Sequence, residues 1–347
     1  MKNGYFHRVA EMSPSRFWIN NPTREEAEQA IVAGATGCTL NPSYTQKMID
    51  HPSESAYALS ILDKVLDETS DDVAAAAEFQ RRIARGITEK FLPMFEISGG
   101  EIGYVSIQAD PLREHDPRII IDEGRVNRAV NRNVCCKVPL TEAGLVAIET
   151  LLKEGTAVNA TEIFAIRQAL DLGELYERVI PKGATRPKLW YSHIAGIYDD
   201  YLNNYVREHE IEIAPDLLAQ AGLAIAKKLY AIVKERGFRM SFIGGGARQT
   251  WHFTELVGGE VNLTINWKGT ADKLIEMDQP VVWRIHNPVP YAVVEELSRK
   301  LPDWDRGWRE DGISQREYEE FGPVELFRSS FVKSWDRVLD VIKERRR

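Results

Sequence analysis

The chain reads as an α/β protein, a closed (β/α)8 barrel, on three observations. Short apolar runs alternate with amphipathic helical stretches eight times over residues 16–280, which predicts a parallel sheet. No shift in composition marks a linker, so residues 1–347 are expected to form a single domain. The turn after the first strand is "NNPT", without the G-x-G-x-x-G an open dinucleotide-binding sheet would place there. Neither "GGEIG" (99–103) nor "GGGAR" (244–248) has that spacing.

The first strand is "RFWIN" (16–20). In the helix after it, Thr23 and Glu26 have capping-box spacing and Gly34 is a stop. "GCTLN" (37–41) is the second strand, and helices around 53–67 and 70–91 precede the third, "IGYVSIQAD" (102–110). "NVCCKVP" (133–139) is the fourth, followed by a helix from Thr141 to Glu154 that stops at Gly155. "TAVNAT" (156–161) is the fifth, and a helix over 162–172 precedes the sixth, "KLWYSHI" (188–194). A long helix, 214–236, ends at Gly237 before "RMSFIGG" (239–245), and a short one leads to "VNLTINW" (261–267). Residues 281–347 are expected as helices packed over the outside and mouth of the barrel.

Composition excludes several classes. A net charge of −8 argues against a general nucleic-acid binder, which needs a basic face. No apolar run approaches the roughly 18 residues of a membrane span. The opening "MKNGYFHRVAEMSPSRF" lacks the apolar core and cleavage site of a secretory signal. Three cysteines, Cys38, Cys135 and Cys136, cannot all pair, which fits reduced thiols and predicts a cytoplasmic location. The seven histidines show no metal-ligand spacing, so no metal is expected. G-x-S-x-G is absent, which leaves a serine hydrolase without support.

Lys137 is the residue this pattern does not explain. It stands near the end of a run that otherwise reads as a buried strand, two residues before Pro139. Its stem could pack while the ammonium reaches water. A desolvated lysine, in contrast, has a lowered pKa and can act as a free amine. Strand parity adds company at the C-terminal ends, where a barrel keeps its chemistry. Asn20 follows Trp18, Asn41 follows Thr39, and Gln108 follows Ser106 on the same parity. Lys137 follows Cys135, Thr161 follows Asn159, and Ser192 follows Trp190. An amine among hydroxyls and amides is the setting for Schiff-base chemistry, in which an iminium serves as electron sink.

These residues carry a resemblance. "GCTLNPS" (37–43) resembles the G-x-T-x-N-P-S stretch of the transaldolase family, and "YVSIQAD" (104–110) its V-S-x-E-V-D strand. "KVPLTEAGLVAIETLLKEGTAVNATEIF" (137–164) is similar to its lysine strand, helix and N-x-T strand. "FGPVELFRSSFVKSWDRVL" resembles its closing helix. The family comprises transaldolases and fructose 6-phosphate aldolases, cofactor-free class I aldolases on a TIM barrel. The resemblance implies that Lys137 forms a Schiff base with a ketose and that the enzyme holds a dihydroxyacetone unit after cleaving the C3–C4 bond. It further implies that Thr161 holds a proton-shuttling water, that Asn41 and Asn159 bind dihydroxyacetone hydroxyls, and that Thr39 and Ser192 are active-site positions. The implied partners are a sugar or sugar phosphate of the pentose phosphate pathway and a second copy in a homodimer.

The departures are as informative. The family's strand-one aspartate, base for the C4 hydroxyl, falls on Asn20, and its strand-three glutamate on Gln108. A tyrosine of the aldolase branch falls on Ile194, though Tyr191 and Tyr198 lie nearby. Of two phosphate-binding arginines one falls on Ile197, and Arg248 matches the other. Three readings therefore stand. The first is a Schiff-base aldolase or transaldolase in which Asn20 orients the C4 hydroxyl, Gln108 and Thr161 hold a water, and Arg248 binds any anionic tail. Its base would be a water, a nearby tyrosine, His193 or the substrate. The second is a sugar-binding barrel without turnover. The third is a lyase or isomerase on a less anionic substrate, suited by an aromatic wall of Trp18, Trp190 and Trp267.

Overall fold

The computed structural model describes residues 4–180, 183 and 185–346. Eight parallel strands close in chain order: β1 (Arg16–Asn20), β2 (Gly37–Leu40), β3 (Tyr104–Gln108), β4 (Val134–Pro139), β5 (Val158–Thr161), β6 (Leu189–Ile194), β7 (Ser241–Gly245) and β8 (Val261–Ile265). β8 pairs with β1, so no edge remains. Each strand lies inside its predicted run.

The capping box forms as the spacing predicts: Glu26 N donates to Thr23 Oγ1 and Thr23 N to Glu26 Oε2, and Gly34 closes that helix at φ +108°. Elsewhere the helices differ from expectation. Tyr5–Met12, Ser43–Asp50, Pro117–Arg128 and Ala195–Glu208 are helices that the sequence reading left unassigned. Parallel neighbours need a crossover, and closure imposes helices where local signals are weak. The helix expected over 162–172 instead runs Ile166–Val179, because Glu162 takes φ +65° and residues 162–165 form a turn. Gln168 holds that turn. Its Oε1 accepts from Phe164 N and Ala165 N, while its Nε2 donates to Leu140 O and Glu162 O. The stretch 214–236 is two helices, Pro215–Leu218 and Ala221–Glu235.

Strand parity builds the interior in layers. Trp18, Tyr104, Cys135, Trp190 and Ile243 pack as its apolar floor, with ring centroids 5.7 Å apart for Trp18–Trp190 and 5.0 Å for Tyr104–Trp190. Opposite-parity residues such as Ile19, Ile107 and Val138 join the core between sheet and helices. Trp18 and Trp190 are therefore floor packing, and Trp267 packs half-buried against the outer core. None of the three walls the mouth, so the aromatic-wall expectation is corrected. A methyl group on Gly37 would lie 2.3 Å from the Trp18 indole. Gly37→Ala is expected to lower stability by about 1–3 kcal/mol by overpacking, checked by thermal melting.

Beyond β8 the chain adds helices Tyr291–Lys300, Pro302–Trp308 and Gly322–Arg345. The last crosses the mouth, where Phe327, Ser330 and Phe331 face the interior cavity and Ser334 Oγ donates to Ser43 Oγ at 2.9 Å. Among the described residues no helix is long and apolar enough to cross a membrane.

Candidate active site

A cavity of about 170 Å³ opens at the C-terminal ends of the strands. Its walls include Asn20, Thr39, Asn41, Lys137, Asn159, Ser192 and Arg248, seven of the nine residues singled out from the sequence. The other two, Gln108 and Thr161, are buried outside it. Gln108 lies beyond Lys137, bounding with Glu114 and Pro139 a space of about 10 Å³.

Lys137 sits on β4, paired in register with Gln108 on β3 and Asn159 on β5. It is 5 % exposed. Its Nζ has no hydrogen bond or ion pair within 4.0 Å among the described residues, and lies 5.7 and 5.5 Å from the ring centroids of Phe327 and Phe331. Burial pulls the amine down to about 8, against the upward pull of the Glu162, Glu114 and Cys135 groups. Burial thus leaves a larger share of free amine near neutrality than an ordinary lysine has.

The amides are held in place by one another. Asn159 Nδ2 donates to Ser106 Oγ at 3.0 Å and Ser192 Oγ donates to Asn159 Oδ1 at 2.6 Å, which fixes Asn159 beside Lys137. Thr39 Oγ1 lies 2.7 Å from Thr264 Oγ1 and donates to Asn20 Oδ1 at 2.9 Å. Asn20 Nδ2 donates to Asn266 Oδ1 at 2.9 Å. Asn41 Oδ1 accepts from Asn21 Nδ2 and Ser43 N, leaving Asn41 Nδ2 for the cavity. The wall is thus a set of oriented neutral dipoles around one amine.

Two carboxyls lie behind that amine, and the sequence reading found neither. Glu162, the first residue after β5, is fully buried. Its Oε1 accepts from Gln108 Nε2 at 3.3 Å, and its Oε2 has no partner. Burial raises it to about 7, with Lys137, Gln108 and Arg328 pulling down. Glu114 is also pushed well up by burial and by Glu162, and its nearest cation, Arg328 Nε, is 4.0 Å away. Glu162 does not stand out in the sequence, because an acidic residue suits the first turn of the helix that the sequence predicts from 162. The available signal was an acidic residue set between a strand end and the apolar "IFAI".

Arg248 follows β7 and is already engaged. Its Nε and Nη2 donate to Asp200 Oδ2 at 2.9 and 2.7 Å. Its backbone N–H donates to His252 Nδ1 at 3.0 Å, so His252 Nε2 carries the proton that faces Asp199 Oδ2 at 2.8 Å. Lys137 and Arg248 are the cations among the described residues lining the cavity.

The other expected bases lie elsewhere. His193 points out of the barrel, with Nδ1 2.8 Å from Ile163 O and Nε2 3.0 Å from Gly222 O, and burial pushes it down to about 4. The Tyr191 ring stacks on Phe242, and Tyr198 donates to Asp303 O. Burial raises both phenols, and neither lines the cavity. His193 and these tyrosines are therefore not placed to act as base on a ligand in the cavity.

A family model described as Transaldolase/Fructose-6-phosphate aldolase matches residues 17–310. The chain is similar to transaldolase of Neisseria gonorrhoeae, 26 % identical over 225 residues covering 62 % of each chain. It is similar to transaldolase of Mycobacterium ulcerans, 29 % identical over 234 residues covering 63 % of this chain and 61 % of that one. It is also similar to transaldolase 1 of Streptomyces coelicolor, 31 % identical over 189 residues covering 50 % and 46 %. These matches span less than two thirds of the relatives' own length. With the closed barrel and a family match over most of its length, the chain belongs to the transaldolase/fructose-6-phosphate aldolase family.

Proposed function

We propose that the protein is a Schiff-base enzyme of the class I aldolase kind, moving or releasing a dihydroxyacetone-type three-carbon unit of a ketose. The observation that carries this reading is Lys137: a buried amine on the cavity wall, without a hydrogen bond, with its pKa drawn toward neutrality. Lys137 attacks the ketose carbonyl, and Asn41 and Asn159 bind the hydroxyls of the three-carbon unit. Ser192 keeps Asn159 oriented, Thr39 keeps Asn20 oriented, and Asn21 with the Ser43 backbone keeps Asn41 oriented. Thr161 and Gln108, behind Lys137, hold the water that enters and leaves with the iminium. Borohydride reduction in the presence of dihydroxyacetone, fructose or fructose 6-phosphate tests this. A mass adduct on the peptide carrying Lys137 is expected, and its absence with every donor would overturn the reading.

The sugar-binding alternative keeps one observation in its favour, the amide at Asn20 where a base would stand. A sugar that raises the melting temperature and leaves no adduct would support it.

The cavity is poorly furnished for phosphate, since Arg248 is neutralised by Asp200 and Ile197 lines the same wall. A neutral ketose is therefore the expected donor. Both partners of the Arg248–Asp200 pair are about two-fifths exposed, so freeing the guanidinium should have a modest effect. Asp200→Asn is expected to lower the KM for fructose 6-phosphate relative to fructose by about fivefold, near 1 kcal/mol. An unchanged ratio would place any phosphate elsewhere.

A further inference from the structure

The proposal concerns the two carboxyls behind Lys137 and rests on the Schiff-base reading above. Among the described residues, four buried oxygens there have no hydrogen-bond partner: Gln108 Oε1, Glu114 Oε1, Thr161 Oγ1 and Glu162 Oε2. Native interiors leave few such atoms, and a cluster beside a reactive amine calls for a reason. Glu162 is also held in a left-handed conformation that is rare for glutamate, at φ +65°, by the Gln168 clamp. The fold tolerates this strain and a desolvated carboxyl at the same residue. The space of about 10 Å³ bounded by Gln108, Glu114 and Lys137 is close to the size of one water.

We propose that Glu162, acting through Gln108 and a water between it and Lys137, holds the proton that the amine gives up and returns it to the departing hydroxyl. The protons balance. The ammonium passes one proton to the water, the water passes one to Gln108 Oε1, and Gln108 Nε2 passes one to the Glu162 carboxylate. The return step reverses this relay and restores the amide. The neutral amine attacks the carbonyl carbon. A C–N bond forms, the π bond opens, and a nitrogen proton moves to oxygen to give the carbinolamine. The Glu162 carboxyl then protonates that hydroxyl, the C–O bond breaks with its electron pair, and water leaves. A protonated iminium and a carboxylate remain. Hydrolysis runs the same steps backwards. Glu162 is a proton-holding residue in this scheme, and Lys137 is the group that bonds to substrate.

The charged surroundings suit the task. Lys137 faces Glu162 from β4, and Arg328 and Glu319 from the C-terminal segment. Glu114 lies beside it in the loop after β3, with Asp110 behind. Arg328 is shared with Glu319, so it neutralises the carboxyl pair only in part. Burial raises the carboxyl and lowers the amine, which brings the two groups closer in basicity and eases proton exchange between them.

The test follows the rate of iminium formation with dihydroxyacetone, by rapid mixing and borohydride quench, from about pH 6 to about pH 9. Wild type is expected to give a bell, since the reactive form of the pair carries one proton, and its limbs belong to the pair. Glu162→Gln keeps the shape and removes the titration. Its rate should rise with pH to a plateau without an alkaline fall, about 10²- to 10⁴-fold below the wild-type maximum. A carboxylate that merely steadied Lys137 would shift the pH midpoint and leave the maximum unchanged. A retained bell or an unchanged maximum overturns the proposal. The exchange variant, Gln108→Glu with Glu162→Gln, moves the carboxyl across one hydrogen bond. It should recover the bell and a rate within about tenfold of wild type. If the single variant does not melt as a folded protein, an exchange variant without a bell overturns the proposal. No adduct in wild type refutes the Schiff-base reading itself, whereas equal adduct rates in wild type and Glu162→Gln refute only the role of Glu162.

Discussion

Replacing Lys137 by methionine is expected to remove the borohydride-trapped adduct and to lower turnover by at least about 10⁴-fold, the order lost when a covalent nucleophile is deleted. The same variant should be at least as stable as wild type at pH 6. The wild-type amine is largely desolvated, makes no hydrogen bond among the described residues and faces two phenylalanine rings, a setting that suits a thioether. With the cation gone, Glu162 can stay protonated. Its folded pKa then lies further above that of the unfolded chain, so between the two values the folded state binds more protons. Stability of the variant therefore falls as pH rises through that window. In wild type the lowered lysine acts in the opposite sense: the unfolded chain binds more protons between about 8 and the ordinary value, so stability rises with pH there. Melting curves from about pH 6 to about pH 9 should show the variant losing ground steadily. A variant that retains an adduct on the same peptide would move the nucleophile elsewhere, and a large loss of stability at pH 6 would make Lys137 structural.

Asn20→Asp is expected to raise C3–C4 cleavage of fructose by about 10²- to 10⁴-fold, the usual worth of a positioned general base. Asn20 lines the same cavity as Lys137, and its Oδ1 already accepts from Thr39 Oγ1. A carboxylate there keeps that bond. The Asn266 amide need only rotate to offer Nδ2 in place of Oδ1. The readout is glyceraldehyde released, with iminium formation measured beside it. Iminium formation should change little, because Asn20 lies across the cavity from the carboxyls behind Lys137. Unchanged cleavage would mean that deprotonation of the C4 hydroxyl is supplied from another wall.

The two substitutions separate what the site retains from what it has exchanged. In the function we propose, Lys137 and its amide neighbours form the iminium. On the cavity wall Asn20 stands where the resemblance implies a carboxylate, and the carboxyls of Glu114 and Glu162 lie outside that wall. In the scheme we propose, the proton given up by Lys137 is handled from the protein side, which would favour making and breaking the C–N bond over cleaving the C–C bond.

Sequence alone determined the barrel, the strand runs and most of the polar groups facing its mouth, though not that Gln108 and Thr161 are buried outside the cavity. Those follow from period-two parity and short-range stop signals such as Gly34 and Gly155, which act within a few residues. Lys137, Asn159 and Ser192 were legible for the same reason, since each belongs to a strand whose inward face can be counted. Only the tertiary structure decided which of these groups are free to act. Asp200 reaches Arg248 across 48 residues, and Glu162 reaches Gln108 across 54. The orientation of His193 toward the helices and the burial of Trp18 and Trp190 in the floor likewise depend on closure of the sheet. A left-handed turn at Glu162 has no local signature, because glutamate disfavours it and the Gln168 clamp is what holds it. Local periodicity places a side chain on a face, and packing between distant segments decides its charge and its partner.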